Sequence, residues 1–536
     1  MTRSQTQPRT RRPARPRTRP LLIGLAAVLT ASLSWSSPAG AGPSANGLKA
    51  AIDTLLTDPR LDGGQAGVVI ADATTGERLY QRDSTDRQMP ASNTKLATSA
   101  AATALLGPEY RFATEVLTPG RRMGSTLVGD LYLRGGGDPT TLAKDYDRLA
   151  ADLAATGVRR VTGLLIADDT RFDTARLGRA WAADDESSYY SAQISPLTVA
   201  PDTDYDSGTV IIEAVPGAKP GDRPTVTVTP KTSYVRLDIT GTTVPTGQSD
   251  TLSIERRHGD NTITISGNIP LGARATKEWI TVWEPTGYAA AVFSDALTRH
   301  GIRLGGPTRL GLPTPPGARA LATHHSMPLR ELLLPFMKLS NNMHAEALTK
   351  TLGYETAGRG TWSAGLAAIN AYLAREGVTT STLRQADGSG LSRMNLFPAE
   401  QLARLLVAVR DAPWYRDWYA SLPVACASDR AVGGTLRTRM CGTPAALNTR
   451  AKTGSLTGAS ALSGYVTDAG GRELVYSIVL NDYLAPSVKS VEDAIVVTLA
   501  RSDTATGTIR STSPRTARST EPPADRECSW EKPARC

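Results

Sequence analysis

Two predicted β-hairpins lie far apart in the chain, and helical patterns occupy much of the sequence between them. Residues 66–82 alternate apolar and polar side chains around a Thr-Gly turn. Residues 459–482 repeat this pattern around an Ala-Gly-Gly turn, and a helical pattern follows over 487–501. Helices enclosed between two hairpins indicate one α/β domain whose sheet is closed by both ends of the chain.

The patterns between the hairpins fall into two kinds. Helical patterns begin at Ser92 and recur over 287–300, 328–352 and 361–376. From 117 to 283, short β-type runs broken by Gly, Pro and Asp replace them. We therefore expect residues 42–116 and 284–502 to form one discontinuous α/β domain, with residues 117–283 as a β-rich insertion.

The positive charge of the chain is concentrated at its start. The 536 residues carry a formal net charge of +9, and seven arginines lie in the first twenty residues with no acid among them. Taking those seven charges from the nine leaves +2, so the charge gives little support to nucleic-acid binding. The apolar run 21–33 and the Ala-Gly-Ala triplet at 39–41 then follow, which is typical of a signal peptide.

These features predict an exported protein. We expect residues 1–41 to be a signal peptide cleaved after Ala41, and the mature chain to act outside the cytoplasm without an integral membrane segment. Arg11-Arg12 leaves twin-arginine export open beside the general route, which the following residues favour. Residues 503–536 are rich in Ser, Thr, Pro and Arg, and we expect them to form a disordered tail.

Four cysteines and five histidines limit the covalent and metal chemistry of the chain. In an oxidising compartment we expect two local disulfides, Cys426 with Cys441 and Cys528 with Cys536, with free thiols as the alternative. The histidines form no H-E-x-x-H motif, and the cysteine spacings do not match a zinc site. We expect no metal and no cofactor.

A serine and a lysine one helical turn apart form the first candidate catalytic pair. Ser92 and Lys95 fit S-x-x-K at the start of a predicted helix, where the helix dipole disfavours a charged lysine. A lysine of lowered pKa can take the proton of a serine hydroxyl, which is otherwise a poor nucleophile. Ser529 and Lys532 fit the same motif but lie in the predicted tail.

Two further motifs follow in order along the chain. Ser340-Asn341-Asn342 opens a helical stretch, and Lys452-Thr453-Gly454 immediately precedes a predicted strand. With these three motifs the chain resembles the D-alanyl-D-alanine carboxypeptidase/endopeptidase family, the class C low-molecular-mass penicillin-binding proteins. The segments that carry the resemblance are PASNTKLATSAAATALLGPEYRF, GGGDPT, LSNNMHAE, ADGSGLSRMN, GGTLRTRM and RAKTGSLTG. The resemblance covers roughly residues 45–500.

This resemblance implies a particular fold. It is a penicillin-recognising, transpeptidase-like α/β domain, an antiparallel sheet with helices on both faces, that carries a large β-rich inserted domain. Ser340 lies 248 residues after Ser92 (340 − 92), whereas a single-domain β-lactamase has a short link there. The insertion of the class C proteins occupies the same place as the block 117–283.

The resemblance also implies catalytic roles. Ser92 would attack the carbonyl of the penultimate D-alanine and form an acyl-enzyme, with Lys95 as its base. Ser340 would relay a proton towards the leaving D-alanine amine. Asn342 would hold the acyl side chain and help to keep Lys95 neutral.

The K-T-G segment is implied to bind the end of the substrate. Lys452 and Thr453 would bind the terminal carboxylate through charge-assisted contacts, with Gly454 beside them. The backbone N–H groups of Ser92 and Ser455 would form the oxyanion hole.

A side-chain pocket beside the nucleophile is implied as well. Arg393 follows DGSGLS, Asp185 and Tyr190 lie in DDESSYYSAQ, and Trp279 is a fourth candidate. An aspartate suits an ammonium and an arginine suits a carboxylate, so the set fits the free amino end of a diaminopimelate-type stem side chain. The alternative is that Asp185 only caps a loop.

The expected function is a secreted serine D,D-peptidase that trims the D-Ala-D-Ala end of peptidoglycan stem peptides and binds β-lactam antibiotics covalently on Ser92. Endopeptidase cleavage of D,D-cross-links is a further activity that the sequence leaves open. A β-lactamase is one alternative, because it shares the acylation chemistry but releases the drug rapidly. A non-catalytic wall-binding sensor is the other, and the three intact motifs argue against it.

Overall fold

The computed structural model describes residues 46–506 and 508–509 of the chain. The predicted signal peptide lies outside these residues, as do Cys528, Cys536 and the second S-x-x-K motif. In chain order, the α-helices of the described part are α1 (Asn46–Leu55), α2 (Thr94–Leu106), α3 (Ala143–Ala155), α4 (Pro285–Arg299), α5 (Leu329–Lys338), α6 (Asn342–Ala357), α7 (Trp362–Arg375), α8 (Ala399–Ala408), α9 (Tyr415–Ser421), α10 (Arg430–Gly433) and α11 (Lys489–Arg501).

The strands are short in the middle of the chain and longer near its two ends. In chain order they are β1 (Gln65–Asp72), β2 (Arg78–Arg82), β3 (Ala113–Thr118), β4 (Arg121–Met123), β5 (Thr126–Val128), β6 (Leu131–Arg134), β7 (Arg160–Val161), β8 (Leu165–Asp168), β9 (Thr209–Val215), β10 (Thr225–Thr229), β11 (Arg236–Ile239), β12 (Thr242–Val244), β13 (Ser253–Arg256), β14 (Thr262–Ser266), β15 (Asn268–Pro270), β16 (Thr276–Thr281), β17 (Arg303–Leu304), β18 (Thr308–Leu310), β19 (Arg319–His325), β20 (Arg450–Leu456), β21 (Ala459–Thr467), β22 (Glu473–Asn481), β23 (Ser502–Asp503) and β24 (Thr508–Ile509).

A five-stranded antiparallel sheet joins the two ends of the described chain. Its strand order is β2-β1-β22-β21-β20, and Val69 of β1 lies opposite Ser477 of β22. The two predicted hairpins are therefore neighbours in one sheet. The predicted closure of the sheet by both chain ends is confirmed.

Helices cover both faces of this sheet, because successive side chains of a strand point to opposite sides. On one face, Val69 packs in an apolar core with α2 and α5 to α9. On the other face, Val68 and Ile70 pack with α1 and α11. This layering is the predicted antiparallel sheet with helices on both sides.

Two local expectations differ from the structure. The helical pattern over 328–352 divides into α5 and α6, because Ser340 between them has a φ of +61°, a left-handed conformation that a helix does not tolerate. The K-T-G motif precedes the predicted strand, β21, but it is itself part of a strand that was not predicted, β20, in which Lys452 pairs with Ser463 of β21.

The block after α2 contains helix as well as strand. Its α3 was not predicted, although buried side chains recur there at the spacing of a helix face, namely Tyr146, Leu149, Ala150 and Leu153. These side chains pack in one apolar core with α4 and the surrounding strands. The block is rich in β-strands, as predicted, but the prediction missed this helix.

Strands on the two sides of residue 283 belong to the same sheets. β19 pairs with β3 and β18 pairs with β8, so the predicted boundaries of the insertion at 116/117 and 283/284 do not coincide with the strand pairings. We propose that the inserted block extends over 113–325, because paired strands and the α4 core bind these residues together.

The C-terminal part adds a cross-link and a short strand pair. Cys426 and Cys441 form a disulfide with Sγ atoms 2.06 Å apart and Cα atoms 5.0 Å apart. At the start of the predicted tail, β23 pairs with β24, which differs from the absence of regular structure expected from 503 onward. Within the described ranges, no α-helix is long and apolar enough to cross a bilayer.

Candidate active site

The three sequence motifs meet at one cleft of about 690 Å³. Its walls are formed by the turn that carries Ser92, by the link between α5 and α6, and by the outer strand β20. Two loops from 180–190 and 390–393 complete it, and residues 430–439 line it as well. Segments far apart in the sequence are thus brought together around the predicted nucleophile.

Ser92 is presented to the cleft by a tight turn at the N-terminal end of α2. Residues 91–93 form one turn of 3₁₀-helix, and α2 begins at Thr94. Lys95 follows inside α2, which brings its Nζ to 2.8 Å from Ser92 Oγ. The structure therefore brings the predicted serine and lysine into hydrogen-bond contact.

Lys95 is fully buried and lies among three oxygen atoms. Besides Ser92 Oγ, its Nζ lies 2.6 Å from Asn342 Oδ1 and 2.7 Å from the carbonyl oxygen of Ser389. Burial lowers the pKa of Lys95 to about 7, although two buried carboxylates oppose this shift. A neutral amine has two N–H groups, so when it donates both to the amide and carbonyl oxygens, its lone pair faces Ser92.

Ser340 lines the cleft and has a left-handed backbone conformation. This conformation interrupts the helix between α5 and α6. It is strained for a residue other than glycine, and such strain is often found where a functional site fixes a side chain. Lys452, which is fully buried on β20, donates from Nζ to Ser340 Oγ over 2.8 Å. A second serine–lysine pair therefore lies in the same site.

Asn342 links Lys95 to the inserted block. Its Oδ1 accepts from Lys95, and its Nδ2 donates to the backbone carbonyl of Tyr190 over 2.8 Å. Since the two ends of the amide have different partners, its orientation is fixed. Asn342 therefore supplies an acceptor, and not a donor, to the lysine.

Gly454 allows β20 to lie against the turn of the nucleophile. A Cβ atom at this position would lie 2.7 Å from the carbonyl oxygen of Pro90 and 3.1 Å from Nδ2 of Asn93. Asn93 also donates from that nitrogen to the carbonyl of Lys452. The glycine is therefore required for the close approach between two of the motifs.

Thr435 is a cleft residue that the sequence analysis did not single out. Its Oγ1 lies 2.7 Å from Oγ1 of Thr453, so two hydroxyl groups stand side by side in the lining. Thr435 lies in the GGTLRTRM segment, which was recognised only as part of a resemblance. Its position next to the K-T-G strand became visible only in three dimensions.

Three of the four residues predicted for the side-chain pocket line the cleft, namely Asp185, Tyr190 and Arg393. Tyr190 donates its hydroxyl to Asp185 Oδ1 over 2.7 Å. Arg393 donates from a terminal nitrogen to the carbonyl of Thr457 over 2.9 Å.

Trp279 is not among the residues that line the cleft. It is only 5% exposed on β16, and its Nε1 donates to Asp202 Oδ2 over 2.9 Å. The pairing of β16 with β9 places Trp279 opposite Ile211, inside the inserted block. The structure thus does not bring this residue to the nucleophile.

His344, which lies two residues after Asn342, is not among the residues that line the cleft. His344 is fully buried in α6, where its Nε2 lies 3.0 Å from the carbonyl of Tyr205 and burial lowers its pKa to about 4. Among the residues that the structure describes, no group of three or more Asp, Glu, His or Cys side chains is arranged to hold a metal ion.

Comparison with known proteins gives a consistent result. The model of the D-Ala-D-Ala carboxypeptidase 3 (S13) family matches residues 48–502. A D-alanyl-D-alanine carboxypeptidase of Actinomadura sp. (strain R39) is 46% identical over 481 residues, covering 88% of each chain. The D-alanyl-D-alanine carboxypeptidase DacB of Haemophilus influenzae is 25% identical over 442 residues, covering 81% of this chain and 89% of its own length.

Solved structures share the fold. Penicillin-binding protein 4 of Haemophilus influenzae superposes with a TM-score of 0.73 at 24% identity, covering 84% of this chain and 98% of its own. The same protein in complex with a β-lactam gives a TM-score of 0.68 at 23% identity, with the same coverage.

Proposed function

We propose that Ser92 is the residue that the substrate acylates, since the chain belongs to the D-Ala-D-Ala carboxypeptidase 3 (S13) family, within the class C penicillin-binding proteins. The chain is a serine D-Ala-D-Ala carboxypeptidase. The contact of 2.8 Å between Lys95 Nζ and Ser92 Oγ carries this proposal. It joins a nucleophile that needs a base to an amine that is buried enough to act as one.

Acylation begins with proton transfer from Ser92 to Lys95. The hydroxyl proton passes to the lone pair of Nζ, while Oγ forms a bond to the carbonyl carbon of the penultimate D-alanine. Negative charge then develops on the carbonyl oxygen. The backbone N–H groups of Ser92 and Ser455 are proposed to donate to it.

The leaving group is proposed to receive its proton from Ser340. As the C–N bond breaks, the amine nitrogen takes the hydroxyl proton of Ser340, which regains one from the hydrogen-bonded Lys452. The proton already taken by Lys95 balances this transfer, so the cleft acquires no net charge. Terminal D-alanine then departs with a neutral amino group.

The terminal carboxylate of the substrate is proposed to lie along β20. Lys452 supplies positive charge there, and the paired hydroxyl groups of Thr453 and Thr435 can both donate to carboxylate oxygens. After D-alanine has left, Lys95 passes the proton that it took to neutral Lys452 through water in the vacated cleft. Lys95 is then a base again for the water that attacks the acyl ester, and it returns the proton of that water to Ser92 Oγ as the ester breaks. The shortened stem peptide is then released and Ser92 is restored.

Covalent β-lactam binding is part of the same proposal. A β-lactam presents a strained amide and a carboxylate to the same cleft, and the Haemophilus influenzae relative has been crystallised with one. Ser92 would open the lactam ring and remain esterified. We also propose that the protein is exported, since peptidoglycan lies outside the cytoplasm and the leader resembles a signal peptide.

The side-chain pocket is proposed to set substrate preference. Asp185 faces the cleft as an acceptor for a substrate ammonium, and Tyr190 orients it through the hydroxyl contact of 2.7 Å. Arg393 offers a guanidinium to the neighbouring carboxylate. A stem side chain with a free amino-acid end fits this pair of charges. Cleavage of D,D-cross-links is proposed as a second activity of the same cleft.

The testing experiment measures three reactions of the purified protein. Release of D-alanine from a defined pentapeptide, cleavage of a defined D,D-cross-linked dimer, and the lifetime of the benzylpenicillin adduct would be compared. A peptidase retains the drug and releases D-alanine. Rapid turnover of benzylpenicillin would identify a β-lactamase, and absence of D-alanine release would favour a non-catalytic sensor.

A further inference from the structure

Glu346 is a fully buried carboxylate one helical turn after Asn342 in α6, and it does not line the cleft. Its Oε1 accepts from the backbone N–H of Ser389 over 2.8 Å. Its Oε2 accepts from the N–H of Gly388 over 3.0 Å and from Trp362 Nε1 over 2.7 Å. One carboxylate therefore holds two successive peptide groups of the loop 386–395.

Gly388 and Ser389 also contact α2, through their backbone carbonyl groups. The carbonyl of Ser389 accepts from Lys95 Nζ over 2.7 Å, and the carbonyl of Gly388 accepts from Thr98 Oγ1 over 2.7 Å. A Cβ atom on Gly388 would lie 1.9 Å from Thr349 Oγ1, so the loop is packed directly against α6. The loop is thus a rigid bridge between the carboxylate of Glu346 and the amine of Lys95.

A second buried carboxylate stiffens the loop from within. Asp387 Oδ1 accepts from the N–H of Gly390 and from Asn395, each over 2.8 Å. Its Oδ2 accepts from the N–H of Ser392 over 2.6 Å and from Trp181 Nε1 over 2.9 Å. Asp387 therefore keeps the shape of the loop, whereas Glu346 fixes the loop to α6.

We propose that Glu346 is a positioning residue for proton transfer, because it holds the Ser389 carbonyl where that carbonyl takes one N–H of Lys95. The other N–H of the neutral amine is donated to Asn342, so only the lone pair of Lys95 Nζ is left to face Ser92. If the Ser389 carbonyl moves away, Lys95 can rotate an N–H towards Ser92 instead. The neutral amine is then still present, but its lone pair does not point to the Ser92 hydroxyl.

This inference rests on the proposed acylation of Ser92 and is tested on the same reaction. Glu346→Gln keeps the size of the side chain but has one acceptor oxygen and places an NH₂ group against an N–H of the loop. The measurement is the rate constant of acylation by benzylpenicillin, separated from the dissociation constant of the non-covalent complex. We expect the rate constant to fall about tenfold or more, within the range of general-base help, with the dissociation constant unchanged within about twofold.

The pH profile distinguishes positioning from a general loss of structure. Glu346 on α6 and Asp387 on the loop are the carboxylates whose negative charge favours the protonated form of Lys95. Burial and the neighbouring Asp387 raise the pKa of Glu346 to about 7, against its three N–H donors, so this charge is present on the upper part of the rising limb. Removing one of these charges, together with a carbonyl acceptor, favours the neutral amine. The midpoint of the rising limb of acylation should therefore move to lower pH, whereas partial unfolding reduces only the amount of active protein.

Two further variants complete the test. Trp362→Phe removes the indole N–H that Glu346 accepts and keeps an aromatic ring beside Trp181 and Lys350. Because both loop N–H groups still bind Glu346, this variant should acylate with the rate constant and midpoint of the parent protein. Thr98→Val removes the other carbonyl contact of the loop without a change of charge, and it replaces Glu346→Gln if that variant does not fold. We expect it to lower the acylation rate constant without changing the dissociation constant.

Each outcome has a defined meaning. A parent-like rate constant in Glu346→Gln, a loss confined to the dissociation constant, or an unmoved pH midpoint would overturn the inference. If Glu346→Gln does not fold, a parent-like rate constant in Thr98→Val would overturn it. Failure of the parent protein to form any adduct on Ser92 would instead overturn the proposed function.

Discussion

Lys452 Nζ and Ser340 Oγ lie 2.8 Å apart, the same distance that separates Lys95 Nζ from Ser92 Oγ. Both lysines are fully buried. The cleft thus contains two serine–lysine pairs, one at the proposed nucleophile and one at the proposed leaving-group side. The two proton transfers of acylation are therefore assigned to different pairs, and substitutions in each pair should affect different steps.

Ser92→Ala should abolish the covalent adduct with penicillin. The variant lacks the only hydroxyl that lies against Lys95 Nζ among the described residues, so no ester can form there. Intact-protein mass spectrometry of the parent protein should show one added drug, and the variant none. Ser529→Ala, in the second S-x-x-K motif, is the matched control and should keep the adduct. Labelling that persists in Ser92→Ala would refute the assignment.

Acylation should accelerate as the pH rises through about 7, because burial lowers the pKa of Lys95 to about 7 and only the neutral amine accepts a proton. Lys95→Arg keeps a cation that cannot act as a base at neutral pH, so its acylation should fall by roughly 10² to 10⁴. Stopped-flow or quenched adduct formation between pH 5 and 9 gives both results. A loss of only a few-fold in Lys95→Arg would mean that the lysine merely orients Ser92.

Ser340→Ala should affect substrates according to their leaving group. An amide substrate needs a proton on the departing nitrogen, whereas a thioester releases a thiolate that needs none. We therefore expect a loss of about 10²-fold or more in kcat/KM for the peptide and a much smaller loss for the matching thioester. Equal losses on the two substrates would show that Ser340 acts before the leaving group departs.

Asp185→Asn should discriminate between two forms of one substrate. A stem peptide with a free terminal amine loses a charge-assisted contact, while its N-acetylated analogue has no such contact to lose. The ratio of acylation rates between the two peptides should therefore fall. Asp184→Asn, next to it in the same lining, is the matched control. Equal losses on both peptides would indicate that Asp185 supports the loop and does not recognise the amine.

Loss of the disulfide should lower stability without abolishing the fold. Cys426 and Cys441 are separated by 15 residues, and closing such a loop stabilises a protein by about 3 kcal/mol in the chain-entropy model. The double variant Cys426→Ala, Cys441→Ala should lose about that amount in chemical denaturation. Non-reducing peptide mapping should recover the two cysteines in one linked peptide pair. Two free thiols in protein isolated from an oxidising compartment would contradict this.

The Ser92–Lys95 pair could be predicted because it is local in sequence. Ser92 and Lys95 lie one helical turn apart, so helix geometry alone brings them together. The meeting of Ser340 and Lys452 with that pair could not be derived from spacing. It followed from the order of three motifs and from a family resemblance.

Features that depend on strand register and long-range packing could not be predicted. Trp279 was assigned to the pocket from the family resemblance, but the pairing of β16 with β9 places it inside the inserted block. Glu346 was hidden because two of its three hydrogen-bond donors are backbone groups of a loop more than forty residues later. Backbone partners leave no side-chain motif in a sequence.

The pairing of β1 with β22 has a consequence for the order of events during synthesis. Val69 is made early and Ser477 late, so β1 keeps an unpaired edge until almost the whole described chain exists. Contacts between such distant residues also form slowly, because the chain must first close a very long loop. A growing polypeptide therefore contains Ser92 and Lys95 long before it contains an enzyme, and the acylating centre is among the last parts of the molecule to be completed.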